Sequence, residues 1–368
     1  MNYPLAVAAP DIGVRSETFI RRHMEDLLPG ATVVLTHNVS GPDAGHWNVD
    51  APFLVCRQRA PKREPIRWVL QIAEKPTIQR FLKQHQVQMI LGEFLEYSFD
   101  FFQLAQEFNI PYFAHAHGCD VSLALRNPTW QKKYLDYQKA AGIITVSEVQ
   151  RQRLIDLGLE SNKICTIPCG VDVPDEPINR PERDNVRCLA VGRMVPKKAP
   201  IMLLEAFRQA VNVWPDLRLD YIGTGDLLPA VRQFIHEFSL SDKVTLHGGQ
   251  PNETVQQFMR ESDIFLQHSM TAPDGDEEGL PVGILEAMGN ALPVVSTRHA
   301  GIPEAVSDQI TGFLVDEGDC LTMAQRIVAL AQNPELRTKM GFAGWQRAKE
   351  KFTWEKEKNS LLQVMNLV

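Results

Sequence analysis

Short apolar runs separated by longer amphipathic patterns recur through the first half of this 368-residue chain. PLAVAAP precedes a helical pattern from Ser16, VQMILGE precedes one from about Tyr97, and PYFAHAHG and GIITVS lead into EVQRQRLIDLG. Strand-length runs that alternate with helix-length ones specify a parallel sheet, because parallel neighbours can be joined only by a long crossover. The rhythm stops at GVDVPDEPINRPERDN, Gly170 to Asn185, whose proline and charge content is that of a linker. It restarts with RCLAVGR, a helix over about Ala199 to Val213, LRLDYIGTG, VTLHGG, DIFLQHS and PVVST. At roughly 150 residues per domain the chain accommodates two. The expected organisation is two doubly wound α/β domains, residues 1–176 and 177–350, with 351–368 as an amphipathic helix that packs back on the first domain. Ligands of open α/β sheets bind beyond the carboxyl ends of the strands, so the site is expected in the cleft between the domains.

Charge and cysteine usage remove several classes of function. Lys plus Arg number 38 against 45 Asp plus Glu, a net charge of −7, which disfavours nucleic acid and bulk attraction to anionic lipid. The local exception is RQRAPKREPIR, Arg57 to Arg67, a solvated loop or a peripheral contact with lipid headgroups at the inner face of a membrane. Cys56, Cys119, Cys165, Cys169, Cys188 and Cys320 form no CxxC pair and read as reduced thiols of a cytoplasmic protein. The run at Leu5 to Ala9 is too short for a secretory h-region, and no run reaches the roughly 18 to 20 apolar residues of a membrane span.

The stretch with the most chemistry is DGDEEGLPVGILEAMGNALPVVS, Asp274 to Ser296. DIFLQHS reads as a strand, 270–280 as the loop leaving it, and Pro281 as the first residue of a helix. Amides at that helix start form an anion site beside Gly279. Helical spacing places Val282, Leu285, Glu286 and Gly289 on one face. With Glu278 on the loop, the two carboxylates suit two hydroxyl groups of one elongated ligand. Equally, Glu278 complements the helix dipole and Glu286 makes a salt bridge. Asp274 and Asp276 form a DGD that reads better as a turn with solvated acids than as a metal site, so no metal is expected. Positive charge for a phosphorylated ligand comes from GRMVPKKAP, where Arg193 and Lys198 flank a strand-to-helix turn and reach one diphosphate. In AHAHGCD, His115 and His117 point to one side of a strand end with Asp120 nearby, and His117 is a candidate for proton exchange with a ligand. In DIGVRSETF, Gly13 opens a strand-to-helix loop and Ser16 is the expected N-cap; the GxGxxG spacing of a dinucleotide site is missing.

Together these motifs resemble the retaining glycosyltransferases of family 4. EGLPVGILE, Glu278 to Glu286, looks like that family's E-x7-E element, and AMGNALPVVSTRHAGIPEAV resembles the run that follows it. GRMVPKK is similar to the family's GRL-x-x-x-K turn, CGVD at Cys169 to Asp172 to NGVD, and FTW near the end to FSW. SETF at Ser16 to Phe19, HGCDVS at His117 to Ser122 and the acidic TAPDGDEEGLP loop narrow the likeness to colanic acid and amylovoran glycosyltransferases.

The resemblance implies the GT-B fold, two Rossmann-like domains, and an enzyme that moves a hexose from a nucleotide-sugar donor to a saccharide acceptor, lipid-linked in polysaccharide synthesis. It implies that Arg193 and Lys198 neutralise the departing diphosphate without a metal, and that Glu286 holds the ribose hydroxyls. Glu278 would hold the donor sugar, amides from Gly279, Leu280, Pro281 and Val282 would surround sugar and phosphate, and His117 would lie beside the reacting carbon. Retention without an enzymic nucleophile implies a front-face transfer in which the leaving phosphate takes the acceptor's proton. Where family members carry two glycines in the first loop, this chain has Gly13 followed by Val14 and Arg15, and Cys119 replaces the tyrosine of HGYD. Related readings are a GT-B epimerase or a sucrose-type synthase, separated by whether product requires a saccharide acceptor, and a non-catalytic nucleotide-sugar-binding scaffold.

Overall fold

Seven parallel strands make the sheet of the first unit. They are β1 (Leu5–Ile12), β2 (Thr32–Val39), β3 (Phe53–Val55), β4 (Met89–Glu93), β5 (Tyr112–Ala116), β6 (Gly142–Thr145) and β7 (Ile164–Thr166). Their spatial order is β3-β2-β1-β4-β5-β6-β7. The crossovers carry helices α1 (Thr18–Glu25), α2 (Pro65–Gln84), α3 (Phe99–Phe108), α4 (Pro128–Tyr134) and α5 (Glu148–Asp156). The computed structural model describes residues 4–14, 16–39, 47, 50–56, 65–181, 183 and 185–367. The side chains of the basic stretch Arg57 to Arg67 lie outside the described residues.

The central strands are buried along their whole length, as a sheet covered on both faces requires. Buried polar groups then need internal partners. The hydroxyl of Tyr112 donates to the Ser98 carbonyl at 3.0 Å and that of Tyr137 to the Leu95 carbonyl at 2.7 Å. Helix starts are set by short polar caps: Asn127 accepts from the Thr129 amide at α4, and Ser147 from the Gln150 amide at α5. Ser16 is not a cap. Helix α1 begins at Thr18 with Glu17 at the N-cap, and Ser16 is exposed in the preceding turn.

The second unit repeats the architecture with six parallel strands in the order β10-β9-β8-β11-β12-β13. These are β8 (Val186–Val191), β9 (Leu217–Ile222), β10 (Val244–Gly248), β11 (Ile264–Leu266), β12 (Val294–Thr297) and β13 (Gly312–Val315). Its helices are α6 (Pro200–Val213), α7 (Leu228–Glu237), α8 (Asn252–Glu261), α9 (Val282–Gly289), α10 (Ile302–Ala305), α11 (Cys320–Gln332) and α12 (Pro334–Lys351); α13 (Trp354–Val364) begins in the second unit and continues into the C-terminal segment that belongs to the first. Leu203, Leu204, Phe207, Leu219, Ile264 and Ile327 are among its core residues.

The first unit comprises Met1–Ile167 with Lys358–Val368, and the second Pro168–Glu357. The stretch with linker composition thus belongs to the second unit from its first residues. Arg180 holds it there: its guanidinium donates to the carbonyls of Met259 at 3.0 Å, Asn290 at 2.6 Å and Ala291 at 3.1 Å, and to that of Ser262. Among the described residues, no helix is long and apolar enough to cross a membrane.

Candidate functional site

In a doubly wound sheet, the loops at the carboxyl ends of two strands meet where the strand order reverses. In the second unit that point lies between β8 and β11, which pair through Cys188 with Ile264 and Leu189 with Phe265. The loop leaving β8 is GRMVPKK; the loop leaving β11 runs from Gln267 to Pro281. Strand order therefore brings Lys198 to Glu278, and their side chains form an ion pair at 3.0 Å, largely shielded from solvent. Burial pushes the Lys198 ammonium below its ordinary range, with Lys197 and Arg193 adding repulsion and Glu278 opposing. Burial alone would raise Glu278, but Lys198 and then Lys197 hold its carboxyl below the usual range. Arg193, on the same turn, is exposed and forms no ion pair among the described residues.

The acidic loop has an internal framework. Lys197, which the sequence reading passed over, is buried; its ammonium lies 3.0 Å from Asp276 and donates to the Glu277 carbonyl at 3.2 Å. The Asp276 amide donates to Asp274 at 3.0 Å, so the DGD is a side-chain-closed turn tied to the β8 loop. Among the described residues neither aspartate joins a group of three or more potential metal ligands. The Glu278 amide donates to His299 Nε2 at 3.2 Å, which makes Nδ1 the protonated nitrogen of His299; that N–H donates to Glu317 at 2.6 Å. His299 and Glu317 escaped sequence reading because only the fold brings the β12 and β13 loops to the acidic one.

Helix α9 starts one residue later than expected. Pro281 is its N-cap, with φ −64° and ψ 113°, and the first intrahelical bonds run from the Ile284 and Leu285 amides to the Pro281 carbonyl. Pro281 has no N–H, so the donors this corner offers are the amides of Gly279, Leu280, Val282 and Gly283. Glu286 is half-buried, and its Oε1 accepts from Asn252 at 3.1 Å and Gln256 at 3.1 Å. Two amide donors from α8 orient its carboxylate.

A pair of glycines after β9 fixes the β8 turn. LRLDYIGTG ends in Gly223 and Gly225, and a Cβ on Gly223 would stand 1.9 Å from the Gly192 carbonyl oxygen. The β8 turn thus rests directly on the β9 turn, and only glycine permits that approach.

In the first unit the reversal lies between β1 and β4, with β5 next. Gly13, at the exit of β1, takes φ +102°, a conformation that favours glycine. Glu93 ends β4, aligned with His115 on β5. Its carboxylate is fully buried: Oε1 is 2.7 Å from His23 Nδ1 on α1, and Oε2 is 2.6 Å from His117 Nε2 and 3.4 Å from His115 Nδ1. Asp120 staples the loop after β5, accepting from the amides of Gly118 at 2.7 Å, Leu95 at 3.0 Å and His117 at 3.1 Å. The partners of the two histidines therefore come from residues 23 and 93, which local spacing does not reveal. His23, Glu93 and His115 have ligand-type atoms within 4.8 Å of one another. Within this group the Glu93 oxygens are held by direct contacts from His23 at 2.7 Å and from the adjoining His117 at 2.6 Å.

Burial opposes ionisation of Glu93, yet the imidazoles of His23, His115 and His117 hold its carboxyl well below the usual range. Burial pushes the His115 imidazole down to about 4, and the His117 ring beside it adds to this. On unfolding, an ordinary imidazole takes up a proton below about 6.5 that native His115 refuses. Stability contributed by neutral His115 is therefore complete above that value and is lost as pH falls towards 4, on the order of 3 kcal/mol in all. Glu93 extends the loss below about 4.5, where the unfolded carboxyl protonates and the native one does not. Urea unfolding followed from pH 7 to 4 should show the midpoint falling through this window, with most of the slope above pH 5 removed in His115→Gln. A flat wild-type profile would contradict a neutral buried imidazole.

Comparison with known proteins places both units. Residues 29–174 match "Glycosyltransferase Family 4" and residues 175–347 match "Glycosyl transferases group 1". The chain is 34% identical over 224 residues to the amylovoran biosynthesis glycosyltransferase AmsK of Erwinia amylovora, covering 59% of this chain and 54% of that protein. It is 33% identical over 223 residues to the putative colanic acid biosynthesis glycosyltransferase WcaL of Escherichia coli K12, with the same coverage. The chain thus spans about half the length of the curated relatives it matches. Among solved structures, Anabaena Alr3699/HepE in complex with UDP and glucose superposes with a TM-score of 0.82 at 16% identity over 99% of both chains, a likeness of fold.

Proposed function

The chain belongs to the glycosyltransferases that pair a family 4 unit with a group 1 unit, and on that premise we propose that it is a retaining, metal-independent hexosyltransferase. Its donor is a nucleotide sugar and its acceptor a saccharide, lipid-linked, in the synthesis of an exopolysaccharide. The observation that carries this reading is the β8 turn: Lys198 is paired with Glu278, while Arg193 stands exposed with no ion pair among the described residues. Two cations on one turn, one of them paired with Glu278 just ahead of α9, provide for a diphosphate leaving group. A fixed positive site of this kind stabilises charge as it develops, which is the work a divalent cation does elsewhere.

The remaining residues take roles consistent with their surroundings. Glu286, oriented by Asn252 and Gln256, accepts from the ribose hydroxyls. Glu278 keeps Oε1 on Lys198 and turns Oε2 to the sugar hydroxyls. The amides of Gly279, Leu280 and Val282 surround the sugar and phosphate, Gly13 admits the ligand at the exit of β1, and His117 adjoins the reacting carbon. The leaving phosphate takes the acceptor's proton.

Calorimetric titration with UDP, GDP and ADP, each with and without EDTA, tests the donor site. One nucleotide is expected to bind with EDTA present, and Arg193→Ala to weaken it at least tenfold, about 1.4 kcal/mol. Binding that required magnesium, or no binding by any of the three, would remove the metal-free reading.

A further inference from the structure

We propose that Glu93 is a positioning residue whose carboxylate fixes the tautomer and orientation of His117, leaving Nδ1 as the ring's acceptor in the site. The role in transfer rests on the function proposed above; the tautomer itself does not. An ionised carboxylate only accepts hydrogen bonds, so the nitrogens on its two oxygens, His23 Nδ1 at 2.7 Å and His117 Nε2 at 2.6 Å, must both carry hydrogen. In neutral His117 the proton then resides on Nε2, and Nδ1 carries the lone pair. Nδ1 has no partner among the described residues. A buried polar atom in this state calls for a partner, and an acceptor nitrogen calls for a donor.

The ring cannot readily turn to exchange its nitrogens. Phe19 covers it with ring centroids 4.5 Å apart, Phe94 meets it edge-on at 4.9 Å, and His115 lies at 4.2 Å. Its backbone is equally fixed, since Asp120 binds the His117 and Gly118 amides. The charged or titratable groups around it are Glu93 on β4, His115 on β5, His23 on α1 and Asp120 in its own loop, and among these only Glu93 accepts from the His117 ring. The logic is that of a buried carboxylate that holds a catalytic imidazole in one tautomer.

The test is nitrogen NMR of the full chain labelled at histidine, recorded at about pH 8, where ordinary imidazoles are neutral. The His117 signals are identified by their loss in His117→Gln. Wild type is expected to show Nε2–H alone, and Glu93→Gln, whose amide can donate as well as accept, a mixture of both tautomers. His23→Gln disturbs the same cluster without touching the His117 contact and should leave the tautomer unchanged. In steady state, Glu93→Gln is expected to lower kcat roughly 10²- to 10⁴-fold with the donor KM within about threefold. A wild-type ring carrying Nδ1–H overturns the proposal even if Glu93→Gln fails to fold, and so does Glu93→Gln with an unchanged tautomer or kcat. A fixed tautomer in a protein that transfers nothing would instead count against the transfer reading alone.

Discussion

Replacing Lys198 with alanine is expected to reduce kcat/KM by at least roughly 10³-fold, since in the proposed function it deletes a preorganised cation from the place where leaving-group charge develops. The same change should cost the second unit about 3 kcal/mol, because Glu278 is left as a buried charge with its main counter-ion gone. The sign of the pH dependence separates this from simple loss of packing. With Lys198 present, Glu278 is held ionised below the usual carboxylate range. Without it, desolvation raises the Glu278 pKa, so the variant should regain stability relative to wild type as pH falls and Glu278 protonates. Lys197→Ala, which removes the tie to Asp276, should loosen the acidic loop with a smaller loss of rate. Chemical denaturation of Lys198→Ala at pH 8 and pH 5 checks the stability half, and donor turnover the other. Full activity in Lys198→Ala would remove the β8 turn from the site.

Gly223→Ala should be the most destructive small substitution in the second unit. The new Cβ would lie 1.9 Å from the Gly192 carbonyl oxygen, and the residue has φ +150°. Backbone that cannot yield and a conformation nearly confined to glycine together cost roughly 3 to 5 kcal/mol, enough to leave little folded protein. Gly248→Ala is the control: φ is +66°, but nothing lies within 4 Å of the added carbon, so only the conformational cost of about 1 kcal/mol applies. Thermal melts of the two variants should differ widely. Should Gly223→Ala melt within a few degrees of wild type, the close contact between the β8 and β9 turns is wrong. Any Gly223→Ala that folds must displace Gly192, and with it the turn that carries Arg193 and Lys198, so its nucleotide affinity should fall too.

The two sheets are legible in the alternation of apolar runs because parallel strands buried on both faces must be continuously apolar. Strand order is not written in that alternation. Lys198 and Glu278 are visible separately as charges on loops, but that they meet follows from β8 lying beside β11, which depends on how the whole sheet is wound. Glu93 shows the same limit more sharply. In VQMILGEF it reads as the polar end of a strand, and its partners lie 70 and 24 positions away. Lys197 was hidden for another reason: next to Lys198 it looks redundant, yet it is buried and ties down the loop that carries Asp276. Pro281 could be placed within one residue of the helix start, while its lack of an N–H, evident from the residue type alone, removes it from the set of donors.

Arg180 also changes how the segment before β8 should be understood. Met259 and Ser262 close α8, and Asn290 and Ala291 follow α9, so the carbonyls that Arg180 binds are those a helix leaves bare at its carboxyl end. One guanidinium therefore serves as a shared C-cap for two helices, and its positive charge sits at the negative poles of both. These are the helices that supply Asn252, Gln256 and Glu286. A peptide with the composition of a tether is thereby the clasp that keeps α8 and α9 in register, and the distance over which amide meets carboxylate at Glu286 is set, in part, from a hundred residues upstream.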